Sequence, residues 1–552
     1  MSGATVAIIP VRGGSVGIPR KNARLLCGKP LMAYGIEAAL RSREVTRVVV
    51  STEDPELAEI ARRFGADVLE RPESLAGPSV TLDEVIAAAV NDLEARGQRF
   101  DYIVTLQATS PLVRASTIDR AVRQCRERGD DTVLTVSNAP HLSWGVGASG
   151  RLAPLYTARV NRQELPPHYR ETGGVVVCPR SVLASGSRFG AQVSVLEVDK
   201  AEALDIDDHF DWWMVERTLS RRKLAFRVVG DRATGLGHVY RALTLADRLI
   251  DHDLHFVIRS DQDLATSLIR SRFYPLTVVE PETELAALRE LAPDVIVNDV
   301  LDTEKAEIEV LQSVGATLVN FEDLGSGAAL ADFVVNALYD APEHGVGANT
   351  YHGVSHCVLR DEFYSADPIQ VSAEVREVLV TFGGTDPNDL TGRCLAWLDS
   401  LPGDWRITVV TGLGVPDPER FERFAAEAQH AVEIVVNTPI VSRYMARADL
   451  AITSAGRTVF ELASLGVPTI VIPQNERECR HSFALESPGV FPLPIATELD
   501  ELEFFDAVSE LIASESRRRS LHEALLASDI RGGIERTLAV IALAISTHED
   551  SQ

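Results

Sequence analysis

Val6-Ala7-Ile8-Ile9-Pro10-Val11-Arg12-Gly13-Gly14-Ser15-Val16-Gly17-Ile18-Pro19-Arg20-Lys21-Asn22 is a short, continuous apolar run that empties into a glycine-rich, basic loop. The run suits a central strand of a parallel sheet, and the glycines after it let backbone N–H groups approach phosphate oxygens closely. Arg12, Arg20 and Lys21 supply positive charge. The loop lacks the Gly-Lys-Ser/Thr ending of a P-loop, and its glycine spacing is not that of the dinucleotide fingerprint. It reads as a nucleotide-binding loop, with neither an ATPase nor a dehydrogenase as the first expectation. Lysine usage sharpens this: of the five lysines, Lys21, Lys29, Lys200, Lys223 and Lys305, two lie in or just after the loop.

Outward from that loop, 552 residues are too many for one core, and about 100–200 residues per domain predicts roughly three lobes. Acidic residues outnumber basic ones 80 to 54, a net charge of −26, which argues against a nucleic-acid surface and for a soluble, self-repelling particle. Any polyanion must be gripped locally. The six cysteines (Cys27, Cys125, Cys178, Cys357, Cys394, Cys479) form no C-x-x-C pair and read as reduced core residues of a cytoplasmic protein. The first residues read as a strand and not as a basic-then-apolar leader, so no targeting segment is expected, and no run reaches the roughly 18 apolar residues of a membrane span.

From residue 5 to about 219, strand-like runs alternate with amphipathic helical ones, which predicts a parallel sheet with helices on both faces. Ligands of such sheets sit beyond the carboxyl ends of the strands, where the Arg12 loop and Gln107-Ala108-Thr109-Ser110-Pro111-Leu112 both fall. Further on, Ala203-Leu204-Asp205-Ile206-Asp207-Asp208 places Asp205 and Asp207 on one side of an extended segment. Two carboxylates so placed can hold Mg²⁺, which needs few protein ligands when triphosphate oxygens supply others.

Residues 4–219 resemble the acylneuraminate (CMP-sialic acid) cytidylyltransferase family through Ile9-Pro10-Val11-Arg12-Gly13-Gly14-Ser15, Lys21-Asn22, Gly28-Lys29-Pro30-Leu31, Val50-Ser51-Thr52, Arg71-Pro72, Gln107 to Leu112, Arg162-Gln163 and Asp205-Ile206-Asp207. The resemblance implies a Rossmann-like nucleotidyltransferase domain in which Arg12, Gly13, Gly14, Ser15, Lys21, Asn22 and Arg71 hold CTP. It also implies that Gln107, Arg162 and Gln163 face the acid sugar, and that Asp205 and Asp207 carry Mg²⁺. Arg12 and Lys21 then offset charge as the sugar hydroxyl attacks the α-phosphate.

A helix from Trp212 and a short basic join, Ser220-Arg221-Arg222-Lys223, end this region, and the strand pattern begins afresh. Leu224–Gly230 runs into Asp231-Arg232-Ala233-Thr234-Gly235-Leu236-Gly237-His238-Val239-Tyr240-Arg241. A Gly-x-Gly turn that opens a helix offers free N–H groups and the positive dipole end to a diphosphate, with His238 at the helix start. Alternation continues to Val334-Val335-Asn336, breaks around 364–370, and resumes at Val378 through Gly383-Gly384-Thr385-Asp386-Pro387 to Ala455-Gly456-Arg457-Thr458-Val459-Phe460-Glu461. Two successive doubly wound lobes with glycine turns at facing strand ends predict a GT-B-like (double Rossmann) unit.

Residues 224–545 resemble the PseG/SpsG family of UDP-sugar hydrolases through Gly235-x-Gly237-His238-x-x-Arg241, Leu359-Arg360-x-Glu362-Phe363, Phe382-Gly383-Gly384-Thr385-Asp386 and Gly456-x-Thr458-x-x-Glu461. The resemblance implies that His238 activates a water and Arg241 meets the sugar. It implies too that Gly235, Gly237, Gly383, Gly384, Gly456, Thr458, Glu461 and Asn475 bind UDP, with no cofactor expected for this unit. Arg457 stands where that family has a small residue, and Asn475-Glu476-Arg477-Glu478 replaces its Asn-Gln.

The expected organisation is α/β throughout: a cytidylyltransferase domain at 1–222, a first PseG-like lobe at 223–368 and a UDP-binding lobe at 369–552. The expected ligands are CTP, a nonulosonic acid and a UDP-sugar, the expected location is the cytosol, and a homodimer is possible. The second unit is expected to hydrolyse; the rival readings are a glycosyltransferase and a non-catalytic nucleotide-sugar module.

Overall fold

In the first strand, Ala7 and Ile9 point to one side and Val6 and Ile8 to the other, and all four are fully buried. A strand buried on both faces needs a helix layer on each. Ile36, Ala61 and Ile118, from the helices Leu31–Arg41, Pro55–Arg63 and Ala115–Arg128, share one core with Ile9. Ile86 and Val90, from Leu82–Ala95, share the other with Ile8. Burying each such side chain contributes about 1.5–3 kcal/mol.

These relations come from a computed structural model, which describes residues 3–14, 17–77, 79–147, 150–231, 234–341, 349–412 and 414–550. The chain forms two compact units, Met1–Arg221 and Arg222–Gln552. Among the described residues no helix is long and apolar enough to cross a membrane.

The sheet of the first unit has seven strands in the order Val193–Glu197, Thr132–Asn138, Tyr169–Pro179, Tyr102–Leu106, Thr5–Pro10, Arg47–Thr52, Asp67–Glu70. It is mixed rather than wholly parallel, because Tyr169–Pro179 runs antiparallel to both its neighbours. The cause lies in the connection. Between Thr132–Asn138 and Tyr169–Pro179 there is a small hairpin, Trp144–Val146 with Leu152–Pro154, and among the described residues no crossover helix to bring the chain back in the same direction. The topology reverses beside Thr5–Pro10, so a crevice opens beyond its carboxyl end and that of Tyr102–Leu106.

The second unit holds two sheets, and each of their strand pairs is parallel. One runs Leu276–Val279, Asp253–Arg259, Lys223–Val228, Val295–Asp299, Thr317–Phe321, Phe333–Asn336, Thr350–His352. The other runs Ala431–Val436, Arg406–Thr411, Glu377–Val380, Leu450–Thr453, Thr469–Val471, Val490–Pro492. The helix Gly533–Asp550, expected within the last lobe, instead returns to the middle one, where Ile534, Ile541 and Ala544 join Phe226, Phe321 and Val335 in one core. An apolar helix face goes where an apolar sheet face is left open, whatever its position in the sequence.

Candidate active sites

In the first unit a cavity of about 490 Å³ lies at the carboxyl ends of the central strands, lined in part by Arg12, Gly17, Lys21, Asn22, Arg71, Gln107, Thr109 and Asp207. Asn22 is buried, and its Nδ2 donates to the Arg12 carbonyl at 3.2 Å, which fixes the loop around the cavity. Arg71 is buried as well and donates through Nη2 to the Ser51 carbonyl at 2.5 Å. Burial and the neighbouring Arg12 push the Arg71 guanidinium below its ordinary pKa against the pull of Glu53. Two cations on one wall suit a polyanion.

Not all expected contacts reach this cavity. Ser15 lies outside the described residues. Gly13 and Gly14 do not line it: the Gly13 N–H donates to Glu53 Oε1 at 2.8 Å, whereas Gly14 has open space where a side chain would stand. Arg20 pairs with Glu56 at the surface. Arg162 and Gln163 sit in the exposed turn Arg162–Glu164, away from the cavity wall. Gln107 does line it, set against Gly173, whose φ of 71° no ordinary side chain favours. Two residues that sequence reasoning missed shape the loop. Glu53 joins Gly13 to Arg71, with its Oε2 3.5 Å from Arg71 Nη1. Gly17 passes so close to the Asp207 carbonyl that any Cβ there would collide.

The acidic segment is held as an extended strip. The Ile206 N–H donates to the Thr109 carbonyl at 2.8 Å, and its side chain enters a core with Ile18, Leu26, Leu31 and Trp212. Asp205 and Asp207 therefore share the opposite side. Ser110 Oγ donates to Asp205 Oδ1 at 3.2 Å, while burial and the nearby Asp207 raise the Asp205 carboxyl above its ordinary value. Lys21 Nζ donates to the Ile206 carbonyl and lies 3.7 Å from Asp207 Oδ1. Among the described residues no three His, Cys, Asp or Glu converge as a metal cage. A desolvated carboxylate beside a second one, with a single lysine between them and the nucleotide loop, nevertheless fits a hard divalent cation that takes its other oxygens from phosphate and water.

In the second unit a cleft of about 270 Å³ gathers Gly235, Gly237, His238, Arg241, Gly383, Gly384, Gly456, Thr458, Glu461 and Asn475 on its walls. His238 is the second residue of the helix Gly237–Arg248, and Arg241 follows one turn later on the same face. Both turn towards the carboxyl end of Val295–Asp299. His238 Nδ1 meets Asp299 Oδ1 at 2.5 Å; Arg241 donates to both oxygens of that carboxylate, at 2.6 and 2.7 Å, and to Glu322 Oε1 at 2.7 Å. Asp299 and Glu322 are each 1% exposed. Burial opposes a charge on Asp299, yet Arg241 and His238 hold its carboxyl well below the usual carboxylate range. An ionised Asp299 accepts a hydrogen bond from Nδ1–H and leaves Nε2 as the base.

Facing that dyad, the loop Gly383-Gly384 approaches Leu236 so closely that a Cβ on Gly384 would stand 3.4 Å from the Leu236 Cβ. Asp386 ties the loop down by accepting the N–H groups of Leu390 and Thr391 at 3.0 and 2.7 Å. Glu461 is engaged by Arg360 in a two-pronged bond at 2.8 and 3.0 Å, and Asn475 Oδ1 accepts the Arg477 and Glu478 N–H groups. Glu478 takes the N–H groups of Gln474 and Ala455, but burial pushes its carboxyl up to about 7.

A family model described as Cytidylyltransferase matches residues 6–144, and one described as Glycosyltransferase family 28 C-terminal domain matches residues 378–484. The N-acylneuraminate cytidylyltransferase of Escherichia coli O18:K1:H7 is 32% identical over 229 residues, 40% of this chain and 54% of that protein. The CMP-N,N'-diacetyllegionaminic acid synthase of Legionella pneumophila is 29% identical over 221 residues, 39% of this chain and 95% of that protein. A Helicobacter pylori protein named pseudaminic acid cytidylyltransferase and UDP-2,4-diacetamido-2,4,6-trideoxy-beta-L-altropyranose hydrolase is 22% identical over 506 residues, 88% of this chain and 91% of that protein. The chain spans about half the length of several curated relatives it matches, the E. coli enzyme among them.

Proposed function

We propose that this chain, which joins a cytidylyltransferase domain to a glycosyltransferase-28-type C-terminal domain, carries out two reactions of acid-sugar biosynthesis. The first unit activates a nonulosonic acid with CTP, and the second hydrolyses a UDP-linked amino-deoxy sugar. The similarity to the H. pylori protein along 88% of the chain supports both halves together. The observation that carries the hydrolytic reading is the His238–Asp299 pair at a helix start on the cleft wall.

In the first unit the sugar hydroxyl oxygen forms a bond to the α-phosphorus of CTP while the bond to the β-phosphate oxygen breaks and pyrophosphate leaves. Arg12, Arg71 and Lys21 offset the charge that spreads over the phosphates. Asn22 keeps the Arg12 loop in place, and Gln107 faces the acid sugar. Asp205 and Asp207 would hold Mg²⁺, which would supply Lewis-acid neutralisation of the triphosphate.

In the second unit His238 Nε2 takes a proton from water as its oxygen attacks the anomeric carbon, and the bond from that carbon to the phosphate oxygen breaks so that UDP leaves with the electron pair. Asp299 holds the ring in the tautomer this needs. The match of residues 378–484 to a glycosyltransferase domain favours a second reading, in which an acceptor hydroxyl replaces the water.

One experiment separates them: UDP release from UDP-2,4-diacetamido-2,4,6-trideoxy-altrose, without acceptor, by wild type and His238→Ala. Release by wild type that the variant loses supports hydrolysis. Release that appears only with an added acceptor replaces it with transfer. Pyrophosphate release from CTP with a panel of nonulosonic acids tests the first unit.

A further inference from the structure

Four arginines line the cleft of the second unit, and three of them are neutralised. Arg241 meets Asp299 and Glu322, Arg360 meets Glu461 and Glu362, and Arg477 meets Asp302 at 2.7 Å. Arg457 makes no ion pair among the described residues. Its side chain has one hydrogen bond there, from Nη2 to the Val358 carbonyl, and burial together with the nearby Arg241 pushes its pKa down. Glu461 and Asp299 pull the other way but form no ion pair with it, and a desolvated cation that is repelled by a second cation and lacks a direct partner is costly to keep. An anion docked against it offsets that cost.

The backbone around Arg457 is arranged for the same charge. Arg457 immediately precedes the helix Thr458–Leu465, and its Cδ lies 3.1 Å from where a Cβ on Gly237 would stand, at the start of the helix Gly237–Arg248. The N–H groups of Gly456, Arg457 and Thr458 on one lobe, and of Leu236, Gly237 and His238 on the other, find no protein acceptor among the described residues. Two helix starts thus converge on one guanidinium that has no ion pair among the described residues.

We propose that Arg457 is the diphosphate clamp of the second unit. Its Nε and Nη1, which make no hydrogen bond among the described residues, hold the β-phosphate of a nucleoside diphosphate sugar. When the bond between the anomeric carbon and the phosphate oxygen breaks, the electron pair stays on that oxygen, and Arg457 stabilises the charge it leaves. This rests on the reading of the cleft as a UDP-sugar site. The clamp would give this unit, from its own side chain, a charge for the leaving group without a metal.

The test is calorimetric titration of the full chain with uridine, UMP and UDP, for wild type, Arg457→Ala and Arg457→Lys. The expected result is an affinity for UDP lowered about 10–100-fold in Arg457→Ala, with uridine affinity unchanged and partial recovery in Arg457→Lys. An equal loss for uridine and UDP would assign Arg457 to the fold and not to the phosphate. Unchanged UDP affinity would remove the clamp while leaving the UDP-sugar site intact. A wild type that binds none of the three would overturn the site, and the clamp with it.

Discussion

His238 Nδ1 stands 2.5 Å from an Asp299 oxygen that also accepts from Arg241 Nη2 at 2.6 Å, so one carboxylate orients the ring and is itself oriented by a buried guanidinium. Asp299→Asn keeps the shape of this arrangement but can present an N–H where Nδ1–H must donate. UDP release should fall by about 10²–10⁴-fold, with UDP affinity within a few-fold of wild type. Unaltered turnover in this variant would remove Asp299 from the mechanism.

Asp207→Ala should lower Mg²⁺-dependent pyrophosphate release from CTP by at least about 100-fold. UDP release by the second unit should be untouched, since no residue of its cleft is altered. A pyrophosphate assay across a Mg²⁺ titration checks this, and a variant with a wild-type metal dependence would displace the ion from Asp205 and Asp207.

Glu53 links the Gly13 N–H to Arg71, so Glu53→Ala should let the cationic wall relax. The expected outcome is a KM for CTP raised about tenfold with little change in kcat, and recovery of the Gly13 bond in Glu53→Gln. Steady-state kinetics with CTP as the varied substrate decide it. A lower KM would mean that the carboxylate competes with phosphate instead of placing its partner.

Glu478 gives the second cleft a pH dependence. Its carboxyl is raised to about 7 by burial, from an ordinary value of 4.5. Between those two values the native chain binds more protons than the unfolded one, so the contribution of Glu478 to stability declines as pH rises through that window. A diphosphate beside Gly456 prefers the neutral acid, so UDP binding should take up a proton and weaken between pH 6 and pH 8 by up to about tenfold relative to Glu478→Gln. Parallel slopes for the two proteins would exclude the effect.

Strand-and-helix alternation made the α/β architecture legible, because a buried strand must be covered on both faces and the covering helices announce themselves by their period. Strand direction was not legible for Tyr169–Pro179, since a pattern of burial says nothing about which way the chain enters it. His238 could be found from its place behind Gly235 and Gly237. Asp299 could not, because its partnership with a residue 61 positions away exists only once two neighbouring parallel strands end side by side. Arg162 and Gln163 matched a motif and yet stand exposed, whereas Glu53 matched no expectation and ties the Gly13 N–H to Arg71. Local spacing reports which face a side chain takes; it does not report which distant charge will meet it.

The helix Gly533–Asp550 completes the core of a lobe that begins some three hundred residues earlier, at Lys223–Val228. During synthesis the first unit can fold as soon as it leaves the ribosome, and the sheet from Glu377 to Pro492 can follow. In the middle lobe the part of the sheet that carries Phe321 and Val335 waits for its cover until residues 533–550 emerge. Its exposure to chaperones is therefore set by the time taken to translate everything after it, and a ribosome that stalls before residue 533 would strand an open apolar sheet face between two finished domains.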